Sequence, residues 1–112
     1  MHQAVQKYLE IFYKTHNWDA LENILDSELE FQGPLFRSST ASEYIEALRD
    51  DPPGEASMEI ISEWEDEDDC SVFYSFSNAG RSTKIYQHFE FKNDKISAIT
   101  TVFNPQDLRI TS

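Results

Sequence analysis

The stretch Ser82 to Asn104, STKIYQHFEFKNDKISAITTVFN, predicts a β-hairpin around which the rest of the chain is arranged. Apolar and polar residues alternate from Lys84 to Lys92 and again from Lys95 to Phe103. Between the two runs stands Asn93-Asp94, and both residue types tolerate the positive φ angles of a tight hairpin turn. We therefore expect two antiparallel strands joined by a two-residue turn.

One polar residue shares a face of the first strand with apolar neighbours. Gln87 stands two residues from Ile85 and two from Phe89, and alternate residues of a strand lie on one face. A buried amide without partners costs about 1–3 kcal/mol, so Gln87 either completes a core network or faces a cavity. The sequence favours the cavity.

The same parity predicts which face of the hairpin meets the helices. His88 belongs to the outer face, which argues against a role for it as a base inside the domain. The residues expected on the inner face are Ile85, Gln87, Phe89 and Phe91 on the first strand, and Ile99, Thr101 and Phe103 on the second.

Composition and charge limit the classes of protein that this chain can represent. At 112 residues, of which 39% are hydrophobic and 13% aromatic, we expect a single domain spanning residues 1–112. Nine basic and 21 acidic residues give a net charge of −12, which argues against nucleic acid and anionic membrane partners. The segment MHQAVQKYLE does not resemble a leader, and no long apolar stretch follows, so we expect a cytoplasmic protein.

The sequence predicts neither a metal site nor a cofactor. Cys70 is the only cysteine, so the chain has no internal disulfide, and we interpret Cys70 as a packed strand residue rather than a catalytic thiol. The three histidines, His2, His16 and His88, are scattered. The acidic run from Glu63 to Asp69 lacks the glycine and alternating ligands of a calcium loop, which favours a solvated hairpin turn over a cation site.

Three helices are predicted in the first half of the chain. Apolar residues at helical spacing indicate an amphipathic helix over Gln3 to Lys14 and a shorter one from Trp18 to Leu25. A short strand, Glu28 to Gln32, follows and stops at Gly33-Pro34. Thr40-Ala41-Ser42-Glu43 has capping-box spacing and predicts a third helix that ends before Pro52.

From Met58 onward the pattern has a period of two. Met58, Ile60 and Trp64 are expected on one face of a strand. The next strand is predicted around Val72, Tyr74 and Phe76, and the hairpin completes a set of four strands. On the strand that contains Met58, we expect Glu59, Glu63 and Glu65 on the opposite face. The fold class is therefore α+β, in the order αα-β-α-ββββ, with a curved antiparallel sheet wrapped around helices on one face.

This order resembles the nuclear-transport-factor-like superfamily, which includes SnoaL-like polyketide cyclases and ketosteroid isomerases. The resemblance covers nearly the whole chain. It implies a cone-shaped sheet closed by the helices, an apolar pocket inside it and a homodimer through the outer sheet face. The stretches that show it, besides the hairpin, are Lys7-Tyr8-Leu9-Glu10-Ile11, Asn17-Trp18-Asp19-Ala20-Leu21 and Phe31-Gln32-Gly33-Pro34.

The resemblance also implies roles for individual residues. Tyr8 resembles the isomerase tyrosine that hydrogen-bonds the substrate oxyanion, and Gln87 falls where that family keeps a protonated aspartic acid. The isomerase base would precede the proline of Gln32-Gly33-Pro34, and the cyclase acid would lie in Ile99-Thr100-Thr101; neither stretch offers a carboxylate. Without a base, a bound carbonyl is held while its α-proton is not moved efficiently.

A set of eight residues forms the predicted ligand site. Tyr8, Gln87 and Thr101 supply polar groups, and pocket lining is favoured over a satisfied core network for these three. For the aromatic members, core packing is the alternative. The aromatic members are Phe12, Trp18, Phe31, Tyr44 and Phe103.

Three functions remain open at this point. The first is a pocket protein that holds a small apolar organic molecule, carbonyl compounds included, with no assigned reaction. The second is an isomerase or cyclase-type enzyme, for which Glu63 turned inward would supply the base. The third is a dimerising interaction module with a vestigial pocket. The interface would form around Tyr86, His88 and Val102 on the outer sheet face.

Overall fold

The computed structural model describes residues 2–108 as five helical segments and six strands. Helix α1, Gln3–Glu10, runs directly into a π-helical turn, Ile11–Thr15, and short 3-10 helices lie at Trp18–Asn23 and Pro105–Leu108. Helix α2 is Ala41–Asp50. The strands are β1 (Leu25–Gln32), β2 (Arg37–Ser38), β3 (Ser57–Glu65), β4 (Asp69–Asn78), β5 (Arg81–Lys92) and β6 (Lys95–Val102).

All six strands form one sheet in the order β2-β1-β6-β5-β4-β3. The α+β class and the order of the main elements are confirmed, and the two-residue strand β2 is added to them. The expectation of a purely antiparallel sheet is wrong, because β1 and β6 pair in parallel. The sheet is therefore mixed and open, with the first strand entering it beside the last.

The hairpin of β5 and β6 has the predicted two-residue turn, and its register shifts between Glu90 and Phe91. Asn93 and Asp94 have φ angles of 53° and 65°. Gln87 pairs with Thr101, and only 4% of its surface is exposed. The predicted inner face is thus confirmed, and His88 lies on the outer one.

The first helix changes its pitch at its end. Val5, Tyr8 and Leu9 are buried as predicted, but the last turn is π-helical, with the His16 backbone N–H donating to the Ile11 carbonyl at 2.8 Å. This i→i+5 bond widens the turn by one residue. His16 then ends the helix in the left-handed region at φ 57°.

The second predicted helix is shorter than expected. It is a 3-10 helix that ends at Asn23, and Leu25 already belongs to β1 and pairs with Ile96. The backbone N–H of Ile96 donates to the Ile24 carbonyl at 2.8 Å, so the neighbouring strand draws this segment into the sheet. Tertiary hydrogen bonding outweighs the local helical pattern here.

Helix α2 begins as predicted at Thr40. The Glu43 backbone N–H donates to the Thr40 hydroxyl at 3.1 Å, and that hydroxyl donates to the Glu43 carboxylate at 3.2 Å. Tyr44, Ile45 and Leu48 are buried against the sheet side. The cap therefore fixes where the buried stripe of the helix starts.

Strand β3 differs from the prediction because its register shifts between Ile60 and Ser62. Met58 and Ile60 pair with Phe76 and Tyr74, whereas Trp64 pairs with Ser71. One extra residue in a strand moves every later side chain to the other face. The prediction that Trp64 shares a face with Met58 and Ile60 is therefore wrong. Glu63, which pairs with the buried Val72, lies on the inner face instead.

A partly buried hydrogen bond ties the described end of the chain to β5. The Thr83 hydroxyl donates to the Asp107 carboxylate at 2.7 Å, and Leu108 packs against the core. The sequence indicated a frayed tail from Asp107 to Ser112, and residues 109–112 of that tail lie outside the described residues. Within residues 2–108, no helix combines the length and apolar composition needed to span a bilayer.

Candidate functional site

A chain of buried and half-buried polar side chains lies between the helices and the inner face of β4 and β5. Tyr8 and Tyr44 join their hydroxyls at 2.5 Å, and Tyr13 and Tyr74 join theirs at 2.8 Å. Gln87 connects to the second pair and to β6. We call this set the tyrosine–glutamine network; its members are Tyr8, Tyr13, Tyr44, Tyr74, Gln87 and Thr101.

Counting hydrogens fixes the direction of half of this network. Tyr74 donates its one hydroxyl hydrogen to Gln87 Oε1 at 2.8 Å. Tyr13 must therefore be the donor in its bond to Tyr74, because a phenol has a single hydrogen. Gln87 Nε2 donates to Thr101 Oγ1 at 3.0 Å, so both polar ends of the amide are bonded.

The Tyr8–Tyr44 pair is different because it holds a spare donor. Two hydroxyl hydrogens serve a single bond between these residues, so one hydrogen remains for another acceptor. The Gln87 side chain also hydrogen-bonds Tyr8 and lowers the pKa of that phenol, as a donor to its oxygen does, so this bond leaves the extra hydrogen in place. The pair can therefore donate to an additional acceptor without losing its own bond.

Burial keeps the phenols of the network neutral. Desolvation raises the pKa of Tyr8, and hydrogen bonds from Tyr44 and Gln87 lower it in part. Burial likewise raises the pKa values of Tyr13, Tyr44 and Tyr74, the last two strongly. These groups are thus hydrogen donors and acceptors rather than phenolates at neutral pH.

A groove opens on the surface between the first helix and the edge of the sheet. Its volume is about 480 Å³. Leu9, Met58 and Ile60 supply apolar surface, while Glu10, Lys14 and Glu63 place charges around it. We call it the α1–β3 groove; its lining residues are Gln6, Leu9, Glu10, Tyr13, Lys14, Met58, Ile60 and Glu63.

Tyr13 belongs both to the groove and to the network. Its side chain lines the groove, and its hydroxyl donates to Tyr74 in the interior. Tyr13 lies in the π-helical turn, four residues after Leu9, which lines the same groove. A molecule in the groove can therefore meet a donor that is itself held by the core.

Solved structures with this arrangement of elements come from several bacteria. An NTF2-like protein of unknown function from Cytophaga hutchinsonii has a TM-score of 0.79 and 16% identity, covering 94% of this chain and 90% of its own. A ketosteroid isomerase-like protein from Kribbella flavida has a TM-score of 0.79 and 13% identity, covering 92% and 76%. An LEH-like epoxide hydrolase from M. tuberculosis has a TM-score of 0.77 and 15% identity, covering 95% and 84%.

This chain has the NTF2-like fold. At these identities the likeness establishes the fold alone. No protein-family model matches the sequence, and no curated protein matches it.

Within this NTF2-like fold, four of the eight predicted site residues meet in the network. They are Tyr8, Tyr44, Gln87 and Thr101. Among these four, Gln87 already has partners at both ends of its amide, which is the core-network alternative that the sequence left open. None of the four appears in the lining of the α1–β3 groove.

The other four predicted residues are aromatic and surround this group unevenly. Phe12 lies 5.9 Å from Tyr8 and 6.1 Å from Trp18 between ring centroids. Phe31 stacks on Tyr44 at 4.6 Å. Phe103 is half-buried and packs against the core. Phe12 and Trp18 thus cover the Tyr8 side of the network from the helical layer.

Sequence reasoning missed Tyr13 and did not assign Tyr74 to the site. Tyr74 had a signal, because it alternates with Val72 and Phe76 on the inner face. Tyr13 had a signal as well, because it stands four residues after Leu9 and eight after Val5 and so continues their helical stripe. The enzyme hypothesis required Glu63 to turn inward. The register shift in β3 puts this residue on the inner face.

Among residues 2–108, the other titratable side chains do not form a candidate metal site. Across residues 2–108, no group of three or more His, Cys, Asp and Glu side chains is placed to hold a metal ion. His88 lies on the outer face, where Nδ1 meets the Ser71 hydroxyl at 2.9 Å and Nε2 stands 3.5 Å from Asp69. Burial raises the pKa of the Cys70 thiol, as expected for a packed cysteine.

Proposed function

We propose that the protein binds a small, largely apolar molecule with a hydrogen-bond acceptor, such as a ketone, in the α1–β3 groove. The observation that carries the proposal is the double position of Tyr13, in the groove wall and in the buried network. Leu9, Met58 and Ile60 offer apolar surface for the body of the molecule. A volume of about 480 Å³ lies within the range of small-molecule sites.

The donor in the groove is prepared for an exchange of partners. Tyr13 gives its hydrogen to Tyr74, and a ligand carbonyl in the groove would take that hydrogen in place of the Tyr74 oxygen. Little enthalpy is lost, because one neutral hydrogen bond replaces another. Tyr74 keeps its own bond to Gln87 throughout.

The predicted ligand residues act behind Tyr13 in this proposal. Gln87 and Thr101 hold Tyr74 in place, and Tyr8 with Tyr44 supplies the spare hydrogen to an acceptor that penetrates further. Donors fixed in a dry interior interact more strongly than donors in water. The half-buried aromatic residues at Phe12 and Trp18 form the apolar cover of this inner part.

Two matched probes test the proposal. 1-Tetralone carries a ketone, and tetralin has nearly the same shape without an acceptor. Wild type should prefer tetralone, and Tyr13→Phe should reduce that preference by about 0.5–1.5 kcal/mol while tetralin affinity stays unchanged. Tyr86→Phe, on the outer face, is the control. An unchanged preference in Tyr13→Phe would contradict the proposal.

The position of Glu63 favours a second candidate, an isomerase or cyclase-type reaction. The β3 bulge places this carboxylate in the same groove as the Tyr13 donor. A base and a donor facing one carbonyl compound are the elements needed to move a proton next to the carbonyl. Two of the similar structures are named as an isomerase-like protein and an epoxide hydrolase, which supports testing for catalysis.

Deuterium exchange at carbon 2 of 1-tetralone separates binding from catalysis. For the binding function, exchange in the presence of the protein stays at background. Exchange that wild type accelerates and Glu63→Gln abolishes would establish the second candidate. Acceleration that persists in Glu63→Gln would exclude Glu63 as the base.

We also propose that two copies associate through the outer sheet face. Tyr86 and Val102 are exposed there, and the bulge adds Trp64, 56% of whose surface is exposed. Exposed apolar side chains on one face are typical of association surfaces. Sedimentation should show a dimer in moderate salt that Val102→Lys converts to a monomer; a wild-type monomer at high concentration would contradict this.

A further inference from the structure

Strand β3 is an edge strand of the six-stranded sheet. The strand order places it last, and its partner among the described strands is β4 alone. It is nine residues long, and Ile60, Ile61 and Trp64 on it are 41%, 48% and 56% exposed. An edge strand of this length offers backbone N–H and C=O groups that a further strand can pair with.

The charge of this edge is of one sign. Residues 57–69, which comprise β3, the turn after it and the first residue of β4, contain seven acidic residues and no Lys, Arg or His. A second copy of the chain at this edge would bring carboxylates against carboxylates, which opposes self-pairing. A basic segment would meet complementary charge and would be attracted by the net charge of −12.

The α1–β3 groove lies directly beside this edge. Met58, Ile60 and Glu63 line the groove from the inner face of β3, while Glu59 and Trp64 lie on the outer face. Because side chains of an added strand alternate between faces, one set would lie over the groove and the other beside Glu59 and Trp64. Backbone pairing and side-chain recognition are thus available at the same place.

We propose that β3 accepts an added strand from a basic, extended segment of another protein. Backbone hydrogen bonds to the edge supply affinity, apolar residues pack on Met58 and Ile60, and lysine or arginine residues pair with the carboxylates. The added strand covers the open side of the groove. This interaction is separate from small-molecule binding and requires no ligand.

The probe is a nine-residue peptide of alternating lysine and valine, capped at both ends. We expect it to bind the full chain, to bind less tightly as salt is raised, and to slow hydrogen exchange of β3 amides that do not pair with β4. The same peptide N-methylated at alternate residues is the control, because it retains the charge and loses backbone donors. Glu59→Gln should weaken binding, whereas Glu30→Gln, on β1, should leave it unchanged.

Several outcomes would overturn the proposal. Four concern the peptide: absence of binding, binding without protection of β3 amides, equal binding of the N-methylated peptide, and equal effects of Glu59→Gln and Glu30→Gln. Protection of β3 in the protein alone, in step with dimer formation, would identify a second copy as the occupant and would also overturn it. Failure of the tetralone test leaves all of these readouts unaffected.

Discussion

Strands β5 and β3 both pair with β4, yet they differ in register and burial. The β4–β5 register is continuous from Asp69–Glu90 to Asn78–Arg81, whereas the β4–β3 register shifts between Ile60 and Ser62. On β5 the inward residues Ile85, Gln87 and Phe89 are buried; on β3 no residue is fully buried. Strand β5 therefore contributes buried side chains to the core, whereas β3 leaves most of its side chains exposed.

Truncating a buried side chain on β5 should destabilise the protein far more than truncating an exposed side chain on β3. Phe89→Ala removes a fully buried ring and should lower the free energy of unfolding by about 3–5 kcal/mol. Trp64→Ala, on the exposed edge, should change it by about 0.5 kcal/mol or less. Urea unfolding of both variants measures the difference. Similar losses in the two variants would remove the distinction between the strands.

A second pair of variants compares the two faces of the sheet. Tyr74→Phe removes the donor to Gln87 and the acceptor for Tyr13, so it should cost about 1–3 kcal/mol of stability. Tyr86→Phe loses a bond to Ser71 on the outer face, where water replaces it, and should cost less than about 0.5 kcal/mol. Equal losses of stability in the two variants would mean that the hydrogen bonds of the network stabilise the fold no more than a surface hydrogen bond does.

These differences mark what the sequence can and cannot predict. Apolar and polar residues alternate on both sides of Asn93-Asp94, and this pattern predicts the hairpin. It also places Gln87 on the inner face, because alternate residues of a strand lie on the same face. The prediction for the face of Trp64 was wrong because the sequence gives no sign of the extra residue near Ile61 that shifts the register. Tyr13, by contrast, stands four residues after Leu9, so the helical spacing could have indicated its position.

The position of Leu25 shows a different cause of error. The local apolar spacing indicates a helix through Leu25, yet this residue pairs with Ile96, about 70 positions later in the chain. No local pattern contains that partner. Helix α2, by contrast, was predicted from its start because its cap lies within four consecutive residues, from Thr40 to Glu43.

Alkaline pH should lower the stability of the fold through the tyrosines of the tyrosine–glutamine network. The pKa values of Tyr8, Tyr13, Tyr44 and Tyr74 are raised above that of a free tyrosine, burial being the first cause in each. In the unfolded chain these phenols ionise near pH 10, while the folded state keeps their protons. Stability is therefore complete below about pH 10 and falls above it, by up to about 1.4 kcal/mol per pH unit for each tyrosine.

Urea unfolding between about pH 8 and pH 11 measures this decline. Tyr13→Phe removes one of the shifted phenols, so its stability should fall with a shallower slope than that of wild type. A variant that declines as steeply as wild type would show that Tyr13 does not contribute to the alkaline dependence.

The smallest expected effect concerns whether the network takes part in binding at all. Tyr8→Phe and Gln87→Leu should each lower the preference for 1-tetralone over tetralin by about 0.5–1.5 kcal/mol, with the fold retained in near-UV circular dichroism. Tyr44→Phe is the matched variant, because it leaves one hydroxyl of the same pair and shows whether Tyr8 can donate alone. If the preference survives in both Tyr8→Phe and Gln87→Leu, these residues belong to core packing, and the polar recognition rests on Tyr13 at the groove. If Gln87→Leu alone lowers it, the amide acts by holding Tyr74, and the spare hydrogen of the Tyr8–Tyr44 pair has no part in binding.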